Sequence, residues 1–348
     1  MTERQGLAAG EPAAPAAPAS AGLPHGRWAL GETVFWLLPL SAYLLLPGYL
    51  VLASQIVITG LFAVSLDLIL GYAGIVSLGH AAFFGAGAYS AGLLAVHGWR
   101  EPLSGLCAAT LVAALMGLVT SFLVVRPRQA ASGTSGSLSQ IMVTLGIGLL
   151  LHEAANQAGE ITGGVDGLSG VEMASLLGLF AFDLAGKTAF AYSLGVTFLV
   201  FLLLKRVVAS PFGLSLRAVR ENEQRMLALG APVSRRLIAA YTLSAAVAGC
   251  AGALLAQTTQ FVGLDVLSFS RSAAVLVMLV LGGVGKLYGG LVGAALFMTL
   301  QDLLAGNDPV YWQFWIGLCL VLLVFFAKGG VLGGVAALER RWRQRSAR

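Results

Sequence analysis

Gly71-Tyr72-Ala73-Gly74-Ile75-Val76-Ser77-Leu78-Gly79-His80-Ala81-Ala82-Phe83-Phe84-Gly85-Ala86-Gly87-Ala88-Tyr89 holds no Asp, Glu, Lys or Arg and five glycines. Gly is tolerated in transmembrane helices because it lets two backbones approach closely. The stretch therefore reads as a membrane segment in which the glycines permit close packing or a helix break. Breaks of this kind often line the substrate site of a transporter. A second Gly-dense segment, 269–290, reads the same way, so either can be broken or re-entrant.

The rest of the chain agrees. Hydrophobic residues make up 57% of it and charged residues 11%, with 45 glycines and a mean hydropathy of +0.85. A soluble domain of 348 residues could not hide that much apolar surface, so lipid is the solvent. The net charge of +5 does not point to nucleic acid, because the basic residues sit in short loops between apolar runs. Cys107, Cys250 and Cys319 each lie inside an apolar segment without a CxxC motif or a nearby His. They read as small buried hydrophobes, and no metal site is expected.

A span needs roughly 20 apolar residues. Candidates fall near 29–48, 50–71, 73–97, 103–125, 137–156, 189–208, 237–258, 269–285, 287–305 and 311–328. The expected fold class is all-α, a polytopic integral membrane bundle of about ten helices over 29–335. Residues 1–28 read as a disordered cytoplasmic tail and 336–348 as a basic cytoplasmic one. The run from Trp28 lacks a convincing cleavage site and is not expected to be a signal peptide. With the N-terminus inside, ten spans leave only Arg100, Lys187 and Arg271 of the 21 Lys and Arg outside the cytoplasmic stretches. The positive-inside rule thus places both termini in the cytoplasm. It also puts the loop at 157–188 outside and the one at 209–236 inside.

No nucleotide site is expected in this chain. Gly186-Lys187-Thr188 lacks the first glycine of a phosphate loop, with Ala181 in its place, and Leu287 follows Gly285-Lys286 where Ser or Thr is needed. The internal loop is more informative. Leu214, Leu216, Val219, Met226, Leu227 and Leu229 can share one helical face, with Arg217, Arg220, Glu221 and Arg225 elsewhere. Gly230 supplies a helix stop and Pro232 prevents continuation. One amphipathic helix over 212–230 is expected, lying either in lipid headgroups or against a cytoplasmic partner. Asp67, near the cytoplasmic end of its span, reads either as a pathway residue or as a structural hydrogen-bonding group, with snorkelling or pairing to His80 open to it.

These motifs resemble one family. The stretch 71–89, Ile161-Thr162-Gly163-Gly164-Val165-Asp166-Gly167-Leu168, the internal loop with Ala228-Leu229-Gly230, and Leu281-Gly282-Gly283-Val284-Gly285 are together similar to LivM-type permeases. These belong to the LivH/LivM permeases of branched-chain amino-acid ABC transporters. Ile75, Asp67 and Ala274 depart from the family's usual Gln, Asn and Glu, and Arg225-Met226 replace a small pair.

The resemblance implies a bacterial inner-membrane importer subunit that moves branched-chain amino acids or a related small polar solute by alternating access. Its implied partners are a LivH-like second permease, two ATP-binding subunits that hydrolyse ATP, an external solute-binding protein and membrane lipid. Neither nucleic acid nor a cofactor within this chain is implied, and no catalytic residues. Within the family, urea, short amides and aromatic carboxylates are alternative substrates; a secondary transporter or channel is the rival class. The expected pathway residues are Asp67, Gly71, Gly74, Ser77, His80 and Gly85. The expected ATPase-coupling residues are Arg217, Arg220, Glu221, Glu223, Leu229 and Gly230.

Overall fold

The computed structural model describes residues 30–334 except 46, 131–133, 177, 179, 181–182, 184–185 and 327–328. Both expected tails lie outside the described residues. Thirteen α-helices are described, and no strand longer than an isolated bridge occurs among the described residues. The helices are α1 (Leu30–Leu45), α2 (Leu50–Asp67), α3 (Ala81–Val96), α4 (Pro102–Ala130), α5 (Thr134–Gln157), α6 (Gly159–Thr162) and α7 (Lys187–Ala209). The short α8 (Pro211–Glu221) and α9 (Glu223–Ala228) follow, then α10 (Val233–Thr259), α11 (Phe269–Gly282), α12 (Leu287–Asn307) and α13 (Trp312–Phe326).

Each expected span contains a helix, but among the described residues only six are long and apolar enough to cross a membrane. These are 47–72, 102–125, 138–157, 187–209, 233–259 and 287–307. The other four hold helices of 14 to 16 residues. Two of the shortfalls have a visible cause. The segment expected as helix from 73 becomes helical only at Ala81, and the one expected over 269–285 ends at Gly282. The first is a broken helix; the second is a short, unbroken helix entered through the 260–268 connection.

The break follows α2, which continues through a π-helical turn, Leu68–Tyr72, and then unwinds. Gly74 takes a φ of +72, a conformation that only glycine adopts without strain. The non-helical run ends where the Ala81 N–H donates to Ser272 Oγ at 2.9 Å. The 260–268 connection follows α10. Gln260, with a φ of +54, is the only non-glycine residue with positive φ among the described residues, and α11 starts after Ser268 caps Arg271 N–H.

The core is built on close backbone approach. α10 packs against α4, α3 and α2. A Cβ on Gly252 would lie 1.8 Å from the Phe84 carbonyl oxygen, and one on Gly87 would lie 2.1 Å from that of Gly249. Gln257, fully buried, donates to the Pro102 carbonyl at 2.8 Å and accepts from the Tyr192 hydroxyl at 2.9 Å. It thereby ties α10 to α4 and α7.

Contacts between connections sort the bundle into two ends. At one end, Lys205 on α7 pairs with Glu32 on α1 at 2.6 Å, and the Gly285 N–H meets Asp67. Gly283 lies against Gly329 and Gly330 at that end too. At the other end, Leu168 and Val262 exchange backbone hydrogen bonds, and Arg100 pairs with Glu172 at 3.0 Å. The 157–188 connection therefore lies opposite the α7–α10 connection, and both ends of the described chain sit on the α7–α10 side.

Arg271, expected outside the cytoplasmic stretches and within the 269–285 span, stands within the bundle. Its guanidinium lies 5.8 Å from the centre of the Phe84 ring. Phe84 is twelve residues from Val96, or about 18 Å down α3, and Arg271 is about 16 Å along α11 from Gly282. It is thus at mid-depth.

Candidate functional site

The α7–α10 connection forms two helices instead of the single one expected over 212–230. Pro211 opens α8 at a position where its missing N–H costs nothing. α8 ends at Asn222, whose backbone is extended and whose side chain accepts from the Arg225 N–H at 2.9 Å. That cap starts a new helix. The signal was present in the residues, since Asn222 ahead of Glu223 is a favourable helix start. Gly230 takes a φ of +74 and ends the element as expected.

The break splits the expected apolar stripe between two faces. Gly213, Leu216 and Val219 are buried against the bundle. Leu214, Leu227 and Leu229 face outward, Leu229 being 73% exposed. Glu221 is exposed at the end of α8, and Glu223 opens α9.

The inward face makes a junction with the π turn after α2 and with the α11–α12 turn. Arg220 donates to the Gly71 carbonyl at the π turn, and the Arg217 guanidinium sits 5.0 Å from the Tyr72 ring centre. The Gly285 N–H, in the α11–α12 turn, donates to Asp67 Oδ1 at 2.6 Å. Glycine makes this convergence possible. A Cβ on Gly71 would lie 2.1 Å from Asp67 Oδ1, and one on Gly285 would lie 3.3 Å from Arg220 Nη1. A Cβ on Gly74 would come within 3.0 Å of the Arg220 side chain. Asp67 is fully buried and bonds neither to water-facing groups nor to His80. Its Oδ1 accepts from the Gly285 N–H, and its Oδ2 has no hydrogen-bond partner among the described residues.

His80 belongs to a separate polar knot. Its Nε2 lies 2.9 Å from Ser65 Oγ and 3.5 Å from Ser244 Oγ, and its ring stacks on Phe62 at 5.5 Å. Ser244 donates to the Ser65 carbonyl at 2.5 Å. Ser77 is buried nearby in the chain, its hydroxyl without a hydrogen-bond partner. A Cβ on Gly85 would lie 2.3 Å from the Leu267 side chain. The six expected pathway residues therefore divide between the junction (Asp67, Gly71, Gly74), the knot and its neighbour (His80, Ser77) and a packing contact (Gly85). Ser65, Ser244 and Ser272 went unremarked in the sequence. Single serines within apolar runs are common, and only their convergence on His80 and the start of α3 sets these apart.

Each of the two nucleotide-like sequences has one backbone N–H bonded to a carboxylate. The Thr188 N–H donates to the Asp183 carboxylate at 3.1 Å, and the Gly285 N–H is taken by Asp67.

A family model described as the permease component of branched-chain amino acid transport systems matches residues 48–327. The chain belongs to this family. It is 29% identical over 306 residues to the high-affinity branched-chain amino acid transport system permease protein LivM of Salmonella typhimurium, covering 82% of this chain and 70% of that protein. The LivM of Escherichia coli matches with the same identity and coverage. The autoinducer 2 import system permease protein LsrC of Klebsiella pneumoniae is 33% identical over 145 residues, covering 39% of this chain and 38% of that protein. No solved structure matches. The LivM-type family makes this chain a transport permease, a helical membrane protein whose class is not enzymatic.

Proposed function

We propose that this permease carries branched-chain amino acids inward as one of two membrane subunits of an ABC importer. It is paired with a LivH-like permease, two cytoplasmic ATP-binding subunits and an external solute-binding protein, in a bacterial inner membrane. The similarity to the two LivM proteins supports the substrate class. ATP is hydrolysed on the partners, and this chain needs no cofactor of its own.

The observation that carries the coupling role is the outward face of α8 and α9. Leu214, Leu227 and Leu229 are exposed on an element whose other face is anchored to the bundle. Exposed leucines on a polar connection mark a docking surface. Each leucine buried against an ATPase contributes about 1.5–3 kcal/mol. Leu229→Asp is therefore expected to weaken ATPase association more than tenfold, measured by co-purification and by ATP hydrolysis of the reconstituted complex. Undiminished association would show that this face does not dock.

We place the α8–α9 end in the cytoplasm, where the positive-inside rule puts its arginines. Both ends of the described chain lie on that side, which requires an even number of crossings. Ten crossings follow if α1, α13 and the segments holding α3 and α11 each traverse the bilayer. A cysteine introduced by Ser175→Cys should react with an impermeant maleimide added outside intact cells. Labelling only after the inner face is opened would reverse the orientation.

The substrate test is uptake of radiolabelled leucine into vesicles holding all the subunits, driven by internal ATP and dependent on loaded binding protein. Isoleucine and valine should compete and urea or benzoate should not. The reverse pattern would favour another small solute, a reading to which the match with the autoinducer 2 import permease gives some footing. Uptake without ATP would favour a secondary transporter.

A further inference from the structure

α3 and α11 begin against each other at mid-depth, and an ion pair stands open there. Arg271 Nη2 meets Asp265 Oδ2 at 2.7 Å, with the side chains 30% and 66% exposed. A charge at the middle of a bilayer is costly, so an ionisable pair at this depth is a functional candidate by default. The pair is held from several directions. Phe84 on α3 underlies the guanidinium, and Ser268 caps the helix turn that carries it. Leu267 packs onto Gly85, which anchors the turn bearing Asp265. Tyr89, on α3 and 6% exposed, lies within electrostatic reach of Asp265 and has a hydroxyl without a hydrogen-bond partner. Phe269, 47% exposed, adds an apolar surface on the first turn of α11. α5 packs against the turn bearing Asp265 and against α11.

We infer that Arg271 and Asp265 form the transport site for the charged end of an α-amino acid. This rests on the amino-acid reading above and names the residues that would enact it. A zwitterion carries a carboxylate and an ammonium on one carbon, so it can replace one ion pair by two. The guanidinium takes the carboxylate through two parallel N–H donors, and Asp265 accepts from the ammonium. Net charge at mid-depth stays zero throughout, so an amino acid passes without carrying an uncompensated charge. Tyr89 offers its free hydroxyl to either end group, and Phe269 offers apolar contact to a branched side chain. The remainder of the cavity would come from the second permease.

The test uses the purified permease pair in detergent, melted with leucine, with 4-methylpentanoate (no amine) or with 3-methylbutylamine (no carboxylate) at equal millimolar concentrations. Leucine alone is expected to raise the melting midpoint. Arg271→Gln and Asp265→Asn should each abolish that rise. In vesicles with saturating loaded binding protein, both should lower leucine uptake at least tenfold while basal ATP hydrolysis continues. Arg271→Lys, which keeps the charge, should recover part of the uptake. If a single variant fails to fold, the double variant Arg271→Met with Asp265→Leu removes both charges together and is tested in its place. An undiminished leucine shift in the variants overturns the assignment, as does an equal shift from either analogue or no shift in the unaltered pair. Failure of the amino-acid reading would be separate: the unaltered transporter would then show no ATP-dependent leucine uptake at all.

Discussion

Gly252→Val should remove the folded permease from the membrane, with less than a tenth of the unaltered amount recovered as a single peak on size exclusion. The reason lies in what a side chain would meet. A Cβ at 252 would stand 1.8 Å from the Phe84 carbonyl oxygen and 3.0 Å from the Ala88 backbone nitrogen. Those atoms belong to a helix backbone and cannot turn aside as a side-chain end can. Overpacking of a core usually costs about 1–3 kcal/mol where side chains can shift. Here relief requires α3 and α10 to separate, which also opens the neighbouring approach of Gly87 to Gly249. In lipid, helix association depends on such close packing, because burial of apolar surface gains nothing against acyl chains. Gly195→Ala supplies the control, since nothing lies within 4 Å of a Cβ there. Equal recovery of both variants would show that the α3–α10 approach is not what holds the bundle.

The sequence was legible where one local rule decided the outcome. Apolar length located a helix in every expected span, and Gly230 before Pro232 marked the end of the internal element. It was less legible where two distant segments had to meet. Asp67 and Gly285 are 218 residues apart, and no local pattern indicates that the carboxylate accepts from that backbone N–H. The serines around His80 were hidden for the same reason. Arg271 falls inside the expected 269–285 span, but its pairing with Asp265 ahead of α11 is a tertiary contact that apolar length does not reveal. The split of the internal helix at Asn222 was a nearer miss: amphipathic spacing outweighed a capping residue that stood in plain view.

Arg220→Gln should leave the permease folded and ATPase-bound, yet cut leucine uptake per ATP hydrolysed at least tenfold. Leu214, Leu227 and Leu229 on the outer face remain untouched, so docking is preserved. What is lost is the link from α8 into the membrane. Arg220 holds the Gly71 carbonyl at the end of the α2 π turn and sits beside Gly285, which Asp67 holds in turn. A hydrogen bond from a charged donor contributes about 1.5–3 kcal/mol, and glutamine cannot reach as far or carry the charge. Through Gly285 the junction abuts the end of α11, and about 16 Å along that helix stands Arg271. If α8 couples to transport, its shift is expected at the mid-depth pair through α11, a route that Arg220→Gln cuts at its start. Arg220→Lys should restore part of the uptake, because a cation able to donate to Gly71 remains. Unchanged uptake per ATP in Arg220→Gln would refute the link. Loss of ATPase co-purification would instead assign Arg220 to the docking face. Asp67→Asn sharpens the result further: its amide oxygen still accepts from Gly285, so retained uptake there would show that the hydrogen bond, and not the buried charge, transmits the motion.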